Sequence, residues 1–458
     1  MFDFTGSYTD LYQLTMAQVY FLQGHKQQAI FDYFFRKLPF GSGYAVFAGL
    51  ADLLSILENL RFDAADIEFL EKNGAHPAFL NYLKNFQFTG TIYAVAEGDL
   101  VFPTAPIVRV AANIIEAQLI ETILLNILNF QTLIATKASR IRQVAGDSSL
   151  IDFGLRRAQG PGGYYASRAA IIGGFDATSN VRAGRDYQIP VSGTMAHSFI
   201  QSYDSELAAF SAFVDVWPEQ STLLVDTYNT LESGVPNAIQ IGKEMEQRGQ
   251  RLQAIRLDSG DLNYLAHKAR HMLDEAGMSY VKIVASDQLN EHSIKALRAQ
   301  KAPIDGFGVG SNLIVGMPDA ALDGVYKLVE VNQQPRIKLS ENAEKITIPY
   351  KKQVYRVMTD EHLFLGTDVI ALAEEQPLDI LYSPLKNYRK EPLLHKVMAQ
   401  GKRLMPTKSL QQIKEYSSLR LSQLPDEYKC IEHPKTYQII LSNELNAKRD
   451  ELIQKYEQ

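Results

Sequence analysis

Leu252-Gln253-Ala254-Ile255-Arg256-Leu257-Asp258-Ser259-Gly260-Asp261 is the stretch whose reading decides the fold. An apolar run of strand length ends in a polar tip, and residues 262–276 follow with helical character. The same unit recurs outward in both directions. Residues 150–153 precede Gly154-Leu155-Arg156-Arg157, and 171–175 precede Asp176-Ala177-Thr178-Ser179-Asn180. Residues 189–191 lead into Ser192-Gly193-Thr194-Met195-Ala196-His197, and 223–225 into Asp226-Thr227. Further on, 281–285 precede Ser286-Asp287 and 304–309 precede Gly310-Ser311-Asn312. Helical segments at 206–216, 236–248 and 291–299 fall between them. Strand, polar tip, helix, strand is the rhythm of parallel βα units. In a barrel of such units the tips gather on one face. The rhythm predicts an α/β barrel over 147–324, with a doubly wound open sheet as the alternative.

The flanks read differently. Residues 1–146 mix helical periods (10–22, 45–60, 64–72) with extended segments at 29–35, 91–95 and 107–110, as in an α+β domain. Residues 114–145 carry the longest helical pattern, apolar on more than one side, and Gly146-Asp147 ends it. Residues 325–458 begin strand-rich, with Asn332-Gln333-Gln334-Pro335 as a hairpin tip, and end in a charged helix. This last segment is expected to pack back on the N-terminal domain and the barrel.

The chain has 458 residues, 46 Lys and Arg against 52 Asp and Glu, and a net charge of −6. A basic excess, the usual mark of nucleic-acid or membrane-surface binders, is absent. A single cysteine, Cys430, excludes an intrachain disulfide and a cysteine metal cluster. The chain opens Met-Phe-Asp-Phe-Thr, without a signal-type apolar run, and 114–135 is too polar to span a bilayer. A cytoplasmic location is the expectation.

Several tips carry chemistry. Arg156-Arg157 is read either as an anion site, since guanidinium forks match phosphate and carboxylate oxygens, or as a salt-bridged structural pair. Arg256 and Asp258, two apart on one strand face, suit a charged ligand or an internal ion pair. Gly306-Phe307-Gly308-Val309-Gly310-Ser311 lets backbone amides approach a phosphate, but is neither a P-loop nor a dinucleotide fingerprint. His197 is one of nine histidines, singled out by Gly193 and Thr194 before it. His267 and His271 have the spacing of a zinc-protease pair, but Lys268 stands where the catalytic glutamate would be.

Taken together, Asp10-Leu11-Tyr12-Gln13, Phe153-Gly154-Leu155-Arg156-Arg157-Ala158-Gln159-Gly160, Gly193-Thr194-Met195-Ala196-His197-Ser198, Val225-Asp226-Thr227-Tyr228, Arg256-Leu257-Asp258-Ser259-Gly260-Asp261 and Phe307-Gly308-Val309-Gly310 resemble the nicotinate phosphoribosyltransferases. The resemblance implies a type II phosphoribosyltransferase-like fold: an irregular α/β barrel plus a second α+β domain built from the N-terminal part and the C-terminal chain. It implies synthesis of nicotinate mononucleotide from nicotinate and phosphoribosyl pyrophosphate, coupled to ATP hydrolysis, at the entry to NAD salvage. It also implies a homodimer with shared active sites, and Mg²⁺ held mainly by pyrophosphate rather than by a dedicated protein site. On this resemblance His197 matches the histidine phosphorylated by ATP. Tyr12, Thr194 and Arg256 match the nicotinate site, with Tyr12 stacking on the ring from the neighbouring subunit. Arg156 and Asp258 match positions near base and ribose. Ser286, Asp287, Gly308, Gly310 and Ser311 match the ribose and 5′-phosphate region.

The sequence departs from the family at Asn229, where many relatives have a second aspartate, at Ser311, where many have threonine, and at Gln288-Leu289-Asn290. Relatives that use nicotinamide place an aspartate near Thr178-Ser179-Asn180. Ser179 or Asn180 there suits a carboxylate substrate, which an aspartate would repel. The rival readings are a nicotinamide phosphoribosyltransferase and a non-catalytic barrel that binds phosphorylated ligands.

Overall fold

The strand Ala254–Leu257 lies where its alternating apolar run predicts, and five more parallel strands assemble around it in one sheet. The computed structural model describes residues 4–340, 346–375, 388–404, 406 and 408–457. It divides into two compact units: residues 137–320, and residues 1–136 together with 321–458.

In the first unit the sheet order is Ala177–Thr178, Ser149–Asp152, Gly306–Val309, Lys282–Ala285, Ala254–Leu257, Thr222–Leu224, with every pairing parallel. The register is level. Asp152 pairs with both Thr178 and Val309, Phe307 with Ala285, Ala285 with Leu257, and Arg256 with Leu224. The residue after each strand therefore emerges at one end of the sheet, which is what creates a site. Among the described residues no ladder joins the two edge strands, and a single bridge from Val191 extends the Thr178 edge. The architecture is an irregular α/β half-barrel.

The helices between strands bury one face each. Val235–Gln247 buries Val235, Ala238, Ile241 and Met245, and Leu262–Glu275 buries Ala266, Ala269 and Leu273. Both spacings are those of one helical stripe. Asp261 accepts from the Tyr264 amide at 3.1 Å and so caps the second of these helices. Asn290 and Ser293 form a capping box on Glu291–Ala299.

Two expectations are corrected here. The apolar run at 171–175 is not a strand but the end of helix Gly162–Ile172, and the strand is Ala177–Thr178. That helix is buried on nearly every side, so its sequence shows no polar face to reveal its period. The run at 189–191 forms only the bridge at Val191.

In the second unit, Gln28–Phe35 pairs antiparallel with Gly324–Val331 on one side and Val108–Asn113 on the other. This joins the chain before the half-barrel to the chain after it in one seven-stranded sheet. Asn332 and Gln333 both take positive φ, 48° and 61°, and turn the chain into Gln334–Pro335, a tighter hairpin than a four-residue tip. A four-stranded sheet orders Arg389–Pro392, Lys352–Met358, Phe364–Leu372 and Gln438–Leu441.

The units part after Thr136 and Ala320, not after 146 and 324. The reason is local. The last turns of helix Glu121–Ala145 bury Lys137 and Arg140 against Glu291 at 2.5 and 3.0 Å, so they belong with the half-barrel. The segment 45–60 also resolves differently: Ala45–Val46 is a short strand, and Gly49, at φ 101°, turns into helix Leu50–Asn59.

Candidate active site

The strand tips of the half-barrel enclose one cavity of about 810 Å³. Its wall brings together Arg156, Ser179, Thr194, His197, Arg256, Asp258, Ser286, Asp287, Gly308, Gly310 and Ser311. Of the residues predicted from sequence, Tyr12 alone is not in this wall. It lies on helix Leu11–Leu22 of the other unit, about half exposed, where its hydroxyl donates to Glu121 at 3.0 Å.

Arg256 is the most constrained member. It sits inside strand Ala254–Leu257 with its side chain nearly buried. Nη1 donates to the Thr194 hydroxyl at 2.5 Å, and Nη2 stands 3.8 Å from Asp258. Its Nε is buried and makes no hydrogen bond. Burial pulls the guanidinium pKa down, Asp258 and Asp226 oppose that, and Arg156 adds to the fall, so the net direction is below the ordinary value. Even so, an arginine stays a cation. A partly unpaired, desolvated fork is a receptor for a carboxylate.

His197 opens the short helix His197–Gln201 and is half-buried. Its Nδ1 lies 3.1 Å from the Thr227 hydroxyl and its Nε2 3.7 Å from Asp258. Asp258 is held in turn by a short hydrogen bond from Ser286, while its backbone amide donates to Asp226 at 3.0 Å. Ser259 donates to the same Asp226 oxygen at 2.6 Å, and the other Asp226 oxygen is buried without a hydrogen bond. Burial and the charges of Asp258 and Asp226 hold the Asp287 carboxyl above its usual range.

Beneath the base of the cavity, Asp152 is fully buried. It accepts from the Gly154 amide and from the Ser167 and Thr178 hydroxyls, each at 2.8 Å. Burial drives its pKa up against these hydrogen bonds. The network ties the Leu155–Arg157 turn to the Ser179 tip.

Of the two glycine arguments, one holds on steric grounds. A Cβ at Gly308 would meet the Phe153 ring at 2.3 Å, so only glycine lets that ring line the cavity. Gly193 faces open space and its φ is not positive, so crowding does not require glycine there.

The sequence assigns no role to Thr227 or Asp226, nor to Gln288 and Phe153 in the wall, whereas Arg157 joins Arg156 there as the paired-arginine reading allows. The Asp226-Thr227 tip was visible as a tip. What the sequence did not show is that neighbouring strands carry it beneath Asp258 and against His197.

The chain is similar to known proteins along most of its length. Family models described as the nicotinate phosphoribosyltransferase (NAPRTase) N-terminal domain, family and C-terminal domain match residues 8–129, 148–362 and 351–449. The chain is 45% identical over 461 residues to a nicotinate phosphoribosyltransferase of Bacillus subtilis (strain 168), covering 96% of this chain and 94% of that one. It is 34% identical to one from Bos taurus, covering 97% and 96%. Among solved structures, human nicotinic acid phosphoribosyltransferase superposes with a TM-score of 0.87 at 32% identity, covering 97% of this chain and 99% of that one. A nicotinate-nucleotide pyrophosphorylase from Pyrococcus furiosus, 24% identical with a TM-score of 0.74, shares the fold.

Proposed function

The chain belongs to the nicotinate phosphoribosyltransferase family and so makes nicotinate mononucleotide from nicotinate and phosphoribosyl pyrophosphate in NAD salvage; we propose that it couples this reaction to ATP through a phosphohistidine at His197. The observation that carries the proposal is the placement of His197 on the cavity wall that also bears Arg256, Thr194 and Asp258.

In this reading Arg256 pairs with the nicotinate carboxylate and Thr194 fixes the guanidinium. Phe153 and Arg156 line the base end. Ser179 leaves that end free of a carboxylate, which favours nicotinate over nicotinamide. The pyridine nitrogen attacks ribose C1 as pyrophosphate departs, and the new bond needs no proton transfer. Rate enhancement then rests on positioning and charge stabilisation. Ser286, Asp287, Gly308, Gly310 and Ser311 line the same cavity and in this reading would face the ribose and its 5′-phosphate.

A ring nitrogen of His197 takes the γ-phosphoryl group of ATP, ADP leaves, and hydrolysis later returns phosphate. A phosphorylated side chain adds about two negative charges at this wall, which is how ATP cleavage would reset the pyrophosphate end of the cavity. Mg²⁺ arriving with pyrophosphate would neutralise the leaving group. Among the described residues no group of three or more His, Cys, Asp or Glu side chains is arranged to hold a metal. The wall offers the hard oxygens of Asp258 and Asp287, which suit an ion whose other ligands are phosphate oxygens and water.

We further infer a homodimer in which Tyr12 of one copy stacks on the base bound by the other. Helix Leu11–Leu22 leaves Leu11, Tyr12 and Val19 exposed, an apolar row suited to such an interface. A cytoplasmic location, where ATP and phosphoribosyl pyrophosphate are both at hand, is part of this proposal.

The test is turnover with nicotinate and with nicotinamide, each with and without ATP, on the wild type and His197→Ala. Nicotinate is expected to be the better base. The variant is expected to lose ATP stimulation while keeping slow, uncoupled synthesis. Full ATP stimulation in the variant would remove the phosphohistidine; nicotinamide as the better base would overturn the role of Ser179.

A further inference from the structure

The loop from strand Lys282–Ala285 to helix Glu291–Ala299 enters the cavity wall in an unusual conformation. Asp287 and Gln288, neither a glycine, take consecutive positive φ values of 90° and 44°. L-residues rarely adopt this region, and outside a hairpin turn such as Asn332-Gln333 two in succession need support from neighbouring groups. The loop is fastened at each end. Ser286 bonds to Asp258 at the start, while the Asn290 cap and the buried Glu291–Lys137–Arg140 pairs hold the finish.

Its middle is fastened by a residue outside the cavity wall. Asn312, almost buried, donates its side-chain amide to the Gln288 carbonyl at 2.8 Å and to the Leu289 carbonyl at 3.1 Å. An amide nitrogen carries two hydrogens, and both are used. Asn312 lies one residue beyond Ser311, so the clamp also ties the 286–289 loop to the Gly310-Ser311 tip across the cavity floor.

The geometry points to Asn312 as a positioning residue. By clamping the Gln288 and Leu289 carbonyls it holds the left-handed Asp287–Gln288 turn in the shape that receives the phosphoribosyl group, without touching substrate. This rests on the placement of that group at 286–288 and 308–311.

Steady-state kinetics of Asn312→Ala test it. The KM for phosphoribosyl pyrophosphate should rise about tenfold, with the nicotinate KM changed less than about twofold. Asn312→Asp keeps the shape but sets oxygen against two carbonyls, and should raise that KM at least as much. Adding Gln288→Gly, which takes positive φ without strain, to Asn312→Ala should produce less than the product of the two single effects. Should Asn312→Ala not fold, Asn312→Ser retains one donor and carries the same comparison with a smaller shift. Equal changes in both KM values, no change, or full additivity with Gln288→Gly would overturn the clamp. Asp287→Asn separates the two ideas. If it raises the phosphoribosyl pyrophosphate KM while Asn312→Ala does not, the clamp alone fails; if neither does, the placement of the phosphoribosyl group fails.

Discussion

Two arginines, one in each unit, show opposite uses of the same chemistry. Arg356, in strand Lys352–Met358, is fully buried and each of its three nitrogens donates: Nε to Asp368 at 3.1 Å, Nη1 to Asp99 at 2.6 Å, and Nη2 to Asp368 and the Leu100 carbonyl at 3.0 and 2.7 Å. Arg420, Tyr416 and Tyr437 complete the carboxylate partners. Arg256 is almost as enclosed, yet one nitrogen has no hydrogen bond and another reaches its carboxylate only at 3.8 Å. Burial pushes the Asp99 pKa up, but Arg356 and Arg420 outweigh it and hold the carboxyl below its ordinary value. For Arg356, Asp368 and Asp99 overcome the burial that would lower it, and its pKa is raised; for Arg256, burial prevails. A buried charge whose hydrogen bonds are complete belongs to the fold. One left incomplete at a strand tip is kept for a ligand.

That contrast can be broken most forcefully at Arg356. Arg356→Ala should cost about 3–5 kcal/mol of unfolding free energy, because it leaves the buried Asp368 with only the Tyr437 hydroxyl and Asp99 with Arg420 as its one cation. Urea unfolding measures this, and a loss below about 1 kcal/mol would mean the network does not hold the unit together. Arg256→Gln is the counterpart. It should lower kcat/KM for nicotinate roughly 10²- to 10³-fold while leaving urea stability within about 1 kcal/mol of wild type. A stability loss like that of Arg356→Ala would erase the distinction.

A smaller effect sharpens the comparison through pH. The folded-state pKa of Asp99 lies below its unfolded value of about 4, so its contribution is present above that value and is lost as pH falls through the folded pKa. The Asp287 pKa is raised, so ionising it in the folded state opposes folding above the ordinary carboxylate range. Urea midpoints between pH 3 and 7 should show Asp99→Asn losing the acid-side slope, and Asp287→Asn becoming slightly more stable toward pH 7. Slopes unchanged in both variants would count against both assignments.

The tips themselves were legible because a level parallel register turns sequence order into spatial convergence. Arg156, Ser179, Asp258, Ser286 and Gly310 need only follow their strands to meet. Contacts between neighbouring tips were not legible, since Thr227 against His197 and Asn312 against Gln288 depend on where side chains point across 30 and 24 residues. The end of helix Gly162–Ile172 reads as a strand in the sequence because burial on nearly every side removes the polar stripe that marks a helical period.

By itself the amino-acid sequence determined the βα rhythm, the reactive tips and, through the motifs they carry, the family. These follow from local periodicity and from residue types that few other arrangements would collect. Tertiary structure alone decided that the units part inside helix Glu121–Ala145, because a helix of uniform pattern does not announce which side its last turns bury. It alone decided which arginine is complete and which is open. Hydrogen-bond completeness is a property of the surroundings, and Arg256 and Arg356 are the same residue until those surroundings close around them.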